Sequence, residues 1–254
     1  MKILTTIVCY SGKSNPYITE VANNLKNVSD VVIFSPEEMD IPNTKTVICS
    51  KSLGKDMTFI PRQYIKDRLY DYDYFLYNED DVLIKESSLF FAINKNEEVS
   101  RINLQNNVGF LRYELENNIP EFVDLAPYNS VHLGGNGVSD IIRCVTSINN
   151  EYYFLPWNYH SGNFLLSKSQ LELLVGNNEF PVQPINNYAG IIESAASGLY
   201  HVMRKVIPVN DYKELMVHHM SNRYIFNPVK VSTDLLDNLF KFIPEDLSKE
   251  YLNL

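Results

Sequence analysis

The sequence predicts an α/β protein, with a parallel-sheet half made of β-α-β units followed by a mixed α+β half. Three observations carry this expectation. Short β-branched apolar runs alternate with helical periodicity through the first eighty residues, an acidic triplet closes the fourth such run, and later runs are short, aromatic and separated by turn residues. No internal repeat, low-complexity stretch or linker intervenes, so residues 1–254 are expected as one domain. The first half spans about 1–100, the second about 101–234, and a helical tail about 235–254.

The elements follow in order. Ile3 to Cys9 reads as a buried strand emptying into the turn-rich Ser11-Gly12-Lys13-Ser14-Asn15-Pro16. Ile18, Val21, Ala22 and Leu25 then fall at helical spacing, with Asn15 as N-cap and Pro16 in the first turn. Val31 to Phe34 and Thr46 to Cys49 are the next strands, a helix covers about Phe59 to Leu69, and Tyr74 to Tyr77 is a fourth buried strand. Beyond it, Val108 to Leu111, Ile141 to Ser147, Tyr152 to Leu155 and Asn163 to Leu166 read as short strands broken by glycine turns. Ser167-Lys168-Ser169-Gln170 is a capping box opening a helix that closes at Gly176. A further helix is expected at about Ala189 to Tyr200, and Leu235 to Ile243 has the pattern of an amphipathic helix.

Composition narrows the function. At 45% hydrophobic residues the chain can bury a core without staples. With 31 acidic against 22 basic side chains and a net charge of -9 it repels phosphate backbones, and no basic arm offsets this, so no nucleic-acid partner is expected. Cys9, Cys49 and Cys144 have no zinc spacing and read as reduced thiols in a reducing compartment. The opening residues make a poor signal peptide and no apolar run reaches the ~18 residues of a membrane span. A cytoplasmic location without a membrane span is the expectation.

Glu79-Asp80-Asp81 stands where the fourth strand ends, between Tyr74 to Tyr77 and Val82 to Ile84. In an open α/β sheet, ligands bind beyond the carboxyl ends of strands. Adjacent carboxylates raise one another's pKa, and a hard divalent cation such as manganese or magnesium relieves this while keeping positions open for phosphate oxygens. Residues 51 to 68 hold Lys51, Lys55, Arg62, Lys66 and Arg68 against only Asp56 and Asp67, with Arg62 and Lys66 at i and i+4. Such a patch suits a diphosphate.

Asp73-Tyr74-Phe75-Leu76-Tyr77-Asn78-Glu79-Asp80-Asp81-Val82-Leu83 resembles the strand and D-x-D motif of GT-A glycosyltransferases, in an E-D-D form. The resemblance implies a GT-A-like single domain with a Rossmann-like nucleotide-binding, donor half and a mixed acceptor half. It implies a metal-dependent transferase moving a sugar from a nucleoside diphosphate sugar, a UDP-sugar, to a carbohydrate acceptor, with Mn2+ or Mg2+ as cofactor. Asp81 would bind the metal directly, with Glu79 as a further candidate; Glu79 and Asp80 would contact ribose, sugar or metal-bound water. Thr6 and Tyr10, on and after the first strand, would contact the nucleotide, Tyr10 by stacking on the base, and Arg62, Lys66 and Arg68 its phosphates.

The same resemblance implies a histidine near the C-terminus as second metal ligand. His218 and His219 are adjacent, so in an extended segment their rings point opposite ways, and His219, leading into Ser221-Asn222-Arg223, is the favoured one. The segment from Tyr152 to Asn163 is dense in aromatics with polar edges, as a sugar ring needs. Within it Trp157, His160, Gly162 and Asn163 are the substrate-side candidates, and Gly162 would let backbone approach the donor. Arg112 or Glu114 could reach the acceptor. Inversion needs a general base, for which Glu193 is the candidate and Asp140 the runner-up. The rivals are a sugar nucleotidyltransferase, of whose glycine-rich loop Ser11 to Ser14 is a faint echo, and a non-catalytic glycan-binding protein.

Overall fold

The computed structural model of the chain describes residues 1–122, 125, 142–156, 159, 161–181, 199–224 and 231–241. Its first layer is a five-stranded sheet. β1 (Ile3–Val8) pairs in parallel with β2 (Asp30–Ser35) and β4 (Tyr74–Glu79), and β2 pairs in parallel with β3 (Thr44–Ile48). β11 (Asn163–Ser167) closes the β4 edge antiparallel, giving the order β11-β4-β1-β2-β3. The expected β-α-β half is therefore present, with α1 (Ile18–Leu25) and α2 (Phe59–Lys66) as crossovers. Asn15 does cap α1: its side-chain oxygen accepts from the Tyr17 and Ile18 amides at 2.7 and 3.2 Å.

Alternation along the strands divides the core. Leu4, Val8, Phe34, Phe75 and Tyr77 face Ile65 of α2 and Leu171 and Leu174 of α4 (Lys168–Gly176). Ile3, Ile7, Ile33 and Leu76 face α1 and Leu89, Ala92, Ile93 and Val99 of α3 (Glu86–Ile102). At 17 residues α3 is a long central helix that the sequence reading did not anticipate. Ser88 and Asn96 sit on its buried side and interrupt the apolar stripe. Asn96 earns its burial through hydrogen bonds: its amide donates to Gln170 at 2.7 Å, its oxygen accepts from the Val108 amide at 3.1 Å, and Gln170 donates to the Asn106 carbonyl at 2.7 Å. Gln170 is also the last residue of the capping box, which forms as expected.

The second half is mixed. β6 (Asn106–Val108), β12 (Arg204–Pro208), β10 (Glu151–Pro156) and β9 (Ile142–Ile148) form one sheet in the order β6-β12-β10-β9. β14 (Val231–Ser232), β8 (Ile119–Phe122), β7 (Leu111–Glu116), β13 (Met216–His219) and β5 (Val82–Leu83) form the other, in the order β14-β8-β7-β13-β5. What was read as one strand from Val108 to Leu111 is thus the junction of two. The hairpin turns differ from expectation as well. β7–β8 and β9–β10 turn on Asn117-Asn118 and Asn149-Asn150, all four at positive φ between 51° and 65°, rather than on glycine. α5 (Leu199–Val202) and α6 (Thr233–Phe240) complete the α-helices among the described residues. The helix expected from Ala189 lies mostly outside the described residues. Among the described residues no helix is long and apolar enough to cross a membrane, and Cys9 and Cys49 are buried free thiols.

Candidate active site

The acidic triplet is a tight connection between β4 and β5. Asn78, fully buried, donates to the Val82 carbonyl at 2.8 Å and so clamps the turn across the three acids. Glu79, Asp80 and Asp81 are 8%, 7% and 8% exposed, so the triplet is buried rather than a solvated surface turn. At an effective dielectric of about 20, like charges about 4 Å apart repel by about 4 kcal/mol, so the three acids need protons, hydrogen bonds or a cation. Each has a different solution. Burial pushes the Glu79 carboxyl up to about 7 against the pull of Arg112, whose Nη1 lies 3.8 Å from Glu79 Oε2, and the Asp81 charge adds to the rise. Burial also pushes Asp80 up, to about 6, helped by Asp81; the Cys9 thiol and Asn15 amide beside it pull the other way. Asp80 thus faces the loop after β1. Burial pushes Asp81 up too, but His219 and Ser221 outweigh it and hold the carboxyl below its ordinary value.

His219 reaches Asp81 because β13 pairs antiparallel with β5, setting His219 opposite Val82, with the Met220 amide donating to the Asp81 carbonyl at 2.8 Å. His219 Nε2 lies 3.1 Å from Asp81 Oδ2 and 3.0 Å from Ser221 Oγ. Its Nδ1 lies 2.5 Å from Glu114 Oε1. Glu114, fully buried on β7, also accepts from the Tyr224 amide at 2.9 Å. The Tyr224 ring stacks on His219 and lies under the Arg112 guanidinium at 5.2 Å. Burial pulls the His219 pKa down, but the two carboxylates prevail and raise it above its ordinary value. His218 occupies the opposite face, stacked on Tyr113 at 5.1 Å, and burial lowers its pKa.

Two chemistries fit the His219 contacts on geometry alone. Ser221, His219 and Glu114 have the order of a nucleophile, base and orienting carboxylate. An oxyanion at Ser221 would stand beside Asp81, however, and the same arithmetic sets about 4 kcal/mol of repulsion where a hydrolase needs stabilisation. A cation fits better. An oxygen and a nitrogen each about 2.1 Å from one ion and at right angles are about 3.0 Å apart, close to the Asp81–His219 separation. A carboxylate on the far ring nitrogen is also the usual support of a ligating histidine. These are two protein donors, not more: among the described residues no group of three or more His, Cys, Asp or Glu side chains forms a metal-holding cluster. Glu79, the further candidate, has its carboxylate beside Arg112, at 3.8 Å.

The expected phosphate face does not assemble on α2. Arg62 turns inward, 1% exposed, with its guanidinium over the Phe59 and Phe164 rings at 5.2 and 6.0 Å, while Lys66 is exposed and Arg68 lies 3.3 Å over the Tyr64 ring. Aromatic faces, not an i, i+4 row, decide where Arg62 and Arg68 go. Burial lowers the Arg62 pKa to about 10, which leaves it cationic at neutral pH. Among the described residues the Tyr10 and Tyr77 hydroxyls and Glu79 Oε1 are buried without a hydrogen-bond partner. Thr6 is different: it lies mid-strand, fully buried, and donates to the Leu76 carbonyl at 3.3 Å.

Gly162, at φ +70°, accepts the Glu79 amide at 2.9 Å, and a Cβ there would stand 2.8 Å from Glu79 Oε2. The expected close approach of backbone therefore falls on the first acid of the turn. Asn163 uses its amide locally, donating to the Ser161 carbonyl at 3.1 Å. Trp157, His160, Asp140 and Glu193 lie outside the described residues. Glu114 was expected toward an acceptor and instead supports His219. Lys205, buried beneath the Gly162 turn, was missed altogether.

No family model matches the chain, and no curated protein matches it. Among solved structures it is similar to A197 from STIV, with 12% identity and a TM-score of 0.37 over 86% of this chain and 81% of that one. It is also similar to mannose-1-phosphate geranyltransferase from Thermus thermophilus, with 9% identity and a TM-score of 0.40 over 86% of this chain and 74% of that one. At these scores neither likeness bears on the chemistry, which rests on the site itself.

Proposed function

We propose that the chain is a metal-dependent glycosyltransferase of GT-A type, moving a sugar from a nucleoside diphosphate sugar, a UDP-sugar, to a carbohydrate acceptor. The observation that supports it most is the meeting of Asp81 and His219, 138 positions apart in sequence, at 3.1 Å on the carboxyl end of β4. Asp81 and His219 would hold Mn2+ or Mg2+, and Glu114 would fix the His219 ring with Nε2 directed at it. The bound ion supplies positive charge that screens the diphosphate as a leaving group. Arg112 offsets Glu79; the Gly162 backbone would approach the donor beside it, and Tyr10, two residues beyond β1, would stack on the base. Glu193, as general base, would take the acceptor hydroxyl proton in an inverting reaction.

Calorimetric titration with UDP, with and without Mn2+, tests this on the natural chain and on Asp81→Asn. Binding that needs both the metal and Asp81 is the expected result. Metal-independent glycan binding with no nucleotide affinity would instead favour the lectin-like rival.

A further inference from the structure

Lys205 is 1% exposed on β12, opposite Asn107 of β6. Burying an ammonium costs several kcal/mol unless hydrogen bonds replace its water, so its partners indicate what it is for. The stem crosses Gly109 closely: a Cβ at 109 would lie 2.3 Å from Lys205 Cε and 2.6 Å from its Cγ. Nζ donates to the Tyr159 carbonyl and to the Ser161 hydroxyl, each at 3.1 Å. The Ser161 hydroxyl is in turn 3.1 Å from Asn163 Oδ1. Between those two residues stands Gly162, left-handed and pressed on Glu79. A glycine in that region is conformationally permissive, so the turn takes its position from what grips its flanks.

We propose that Lys205 is a positioning residue which, passing over Gly109, holds Tyr159 and the Ser161-Gly162-Asn163 backbone against Glu79 and so sets one wall of the candidate site from β12. Its consequence for ligand binding rests on reading that site as the donor site; the anchoring itself does not.

Hydrogen exchange on the natural chain, Lys205→Met, Ser161→Ala and the double variant tests the anchoring. Lys205→Met keeps the stem and removes the charge. It is expected to speed exchange of the Glu79 amide and of residues 161–163 by about tenfold or more while β1 and α3 keep their protection. Ser161→Ala should act on the same amides more weakly, and the double variant should fall short of the two effects combined, because they share the Lys205–Ser161 contact. Unchanged exchange in Lys205→Met, or effects that simply add, would overturn the anchoring. Should Lys205→Met fail to fold, Gly109→Ala, whose Cβ displaces the stem, replaces it in the same measurement. Titration with UDP and Mn2+ then tests the consequence: Kd rises by about tenfold in the anchoring variant, with thermal stability retained. Equal Kd values would overturn the site role. A natural chain that binds no nucleoside diphosphate would sink the donor-site reading, while the exchange data still decide the anchoring.

Discussion

The two faces of β13 carry the same side chain in opposite circumstances. On one face His219 stands between Asp81 and Glu114, each a carboxylate, and its pKa is raised. On the other His218 lies flat on Tyr113 with Nε2 buried and unbonded, and its pKa is lowered. The residue type is constant, so register alone decides the chemistry: pairing with β5 sets His219 opposite Val82, and a slip by one residue would exchange the two roles.

Substitution breaks the comparison most sharply. His219→Asn is predicted to weaken Mn2+-dependent UDP binding by more than about 100-fold, because on the proposed function it would remove a metal donor, whereas His218→Asn leaves calorimetric affinity within about threefold. Equal losses would show that β13 acts only as scaffold. Glu114→Gln keeps shape and the Tyr224 hydrogen bond but removes the charge behind the ring; a loss of about 10–100-fold in Mn2+ affinity, read by the EPR signal of free manganese, is the expected result. NMR titration of the metal-free chain sharpens the contrast without mutation: His219 should titrate above 6.5 and His218 below it. In stability terms, His219 contributes below its unfolded value and loses that contribution as pH rises through its folded one. His218 adds a penalty as pH falls below about 6.5. The smallest effect belongs to His218→Phe, which keeps the stack on Tyr113 and discards the unbonded Nε2 together with the Asn222 contact; its melting temperature should stay within about 2 °C of the natural chain.

Much of this architecture is legible in the sequence where one physical rule acts locally. The β1-to-β4 alternation, the Ser167 capping box and the acidic strand end follow from periodicity and capping. What escapes is set by partners far along the chain. α3 hides because Ser88 and Asn96 lie on its buried side, and Asn96 is satisfied there by Gln170 and the Val108 amide, which no local pattern reveals. Arg62 reads as a solvent-facing cation until Phe59 and Phe164 are in place. Lys205 follows Arg204 as an ordinary surface pair would, and only the gap over Gly109 shows where its stem runs. The Asp81–His219 meeting was anticipated only through family resemblance, and a strand pairing across the chain brings it about.

That β11 is the outer neighbour of β4 also has a meaning for synthesis. β1 to β4 emerge early, yet the edge of β4 has no partner until residue 167 has left the ribosome. At 5–20 residues per second the nascent chain carries that bare edge, ending in three unshielded acids, for roughly ten seconds. Negative charge at the end of an open strand discourages pairing with a neighbouring chain, so the acids would act as a guard against aggregation before they belong to any site.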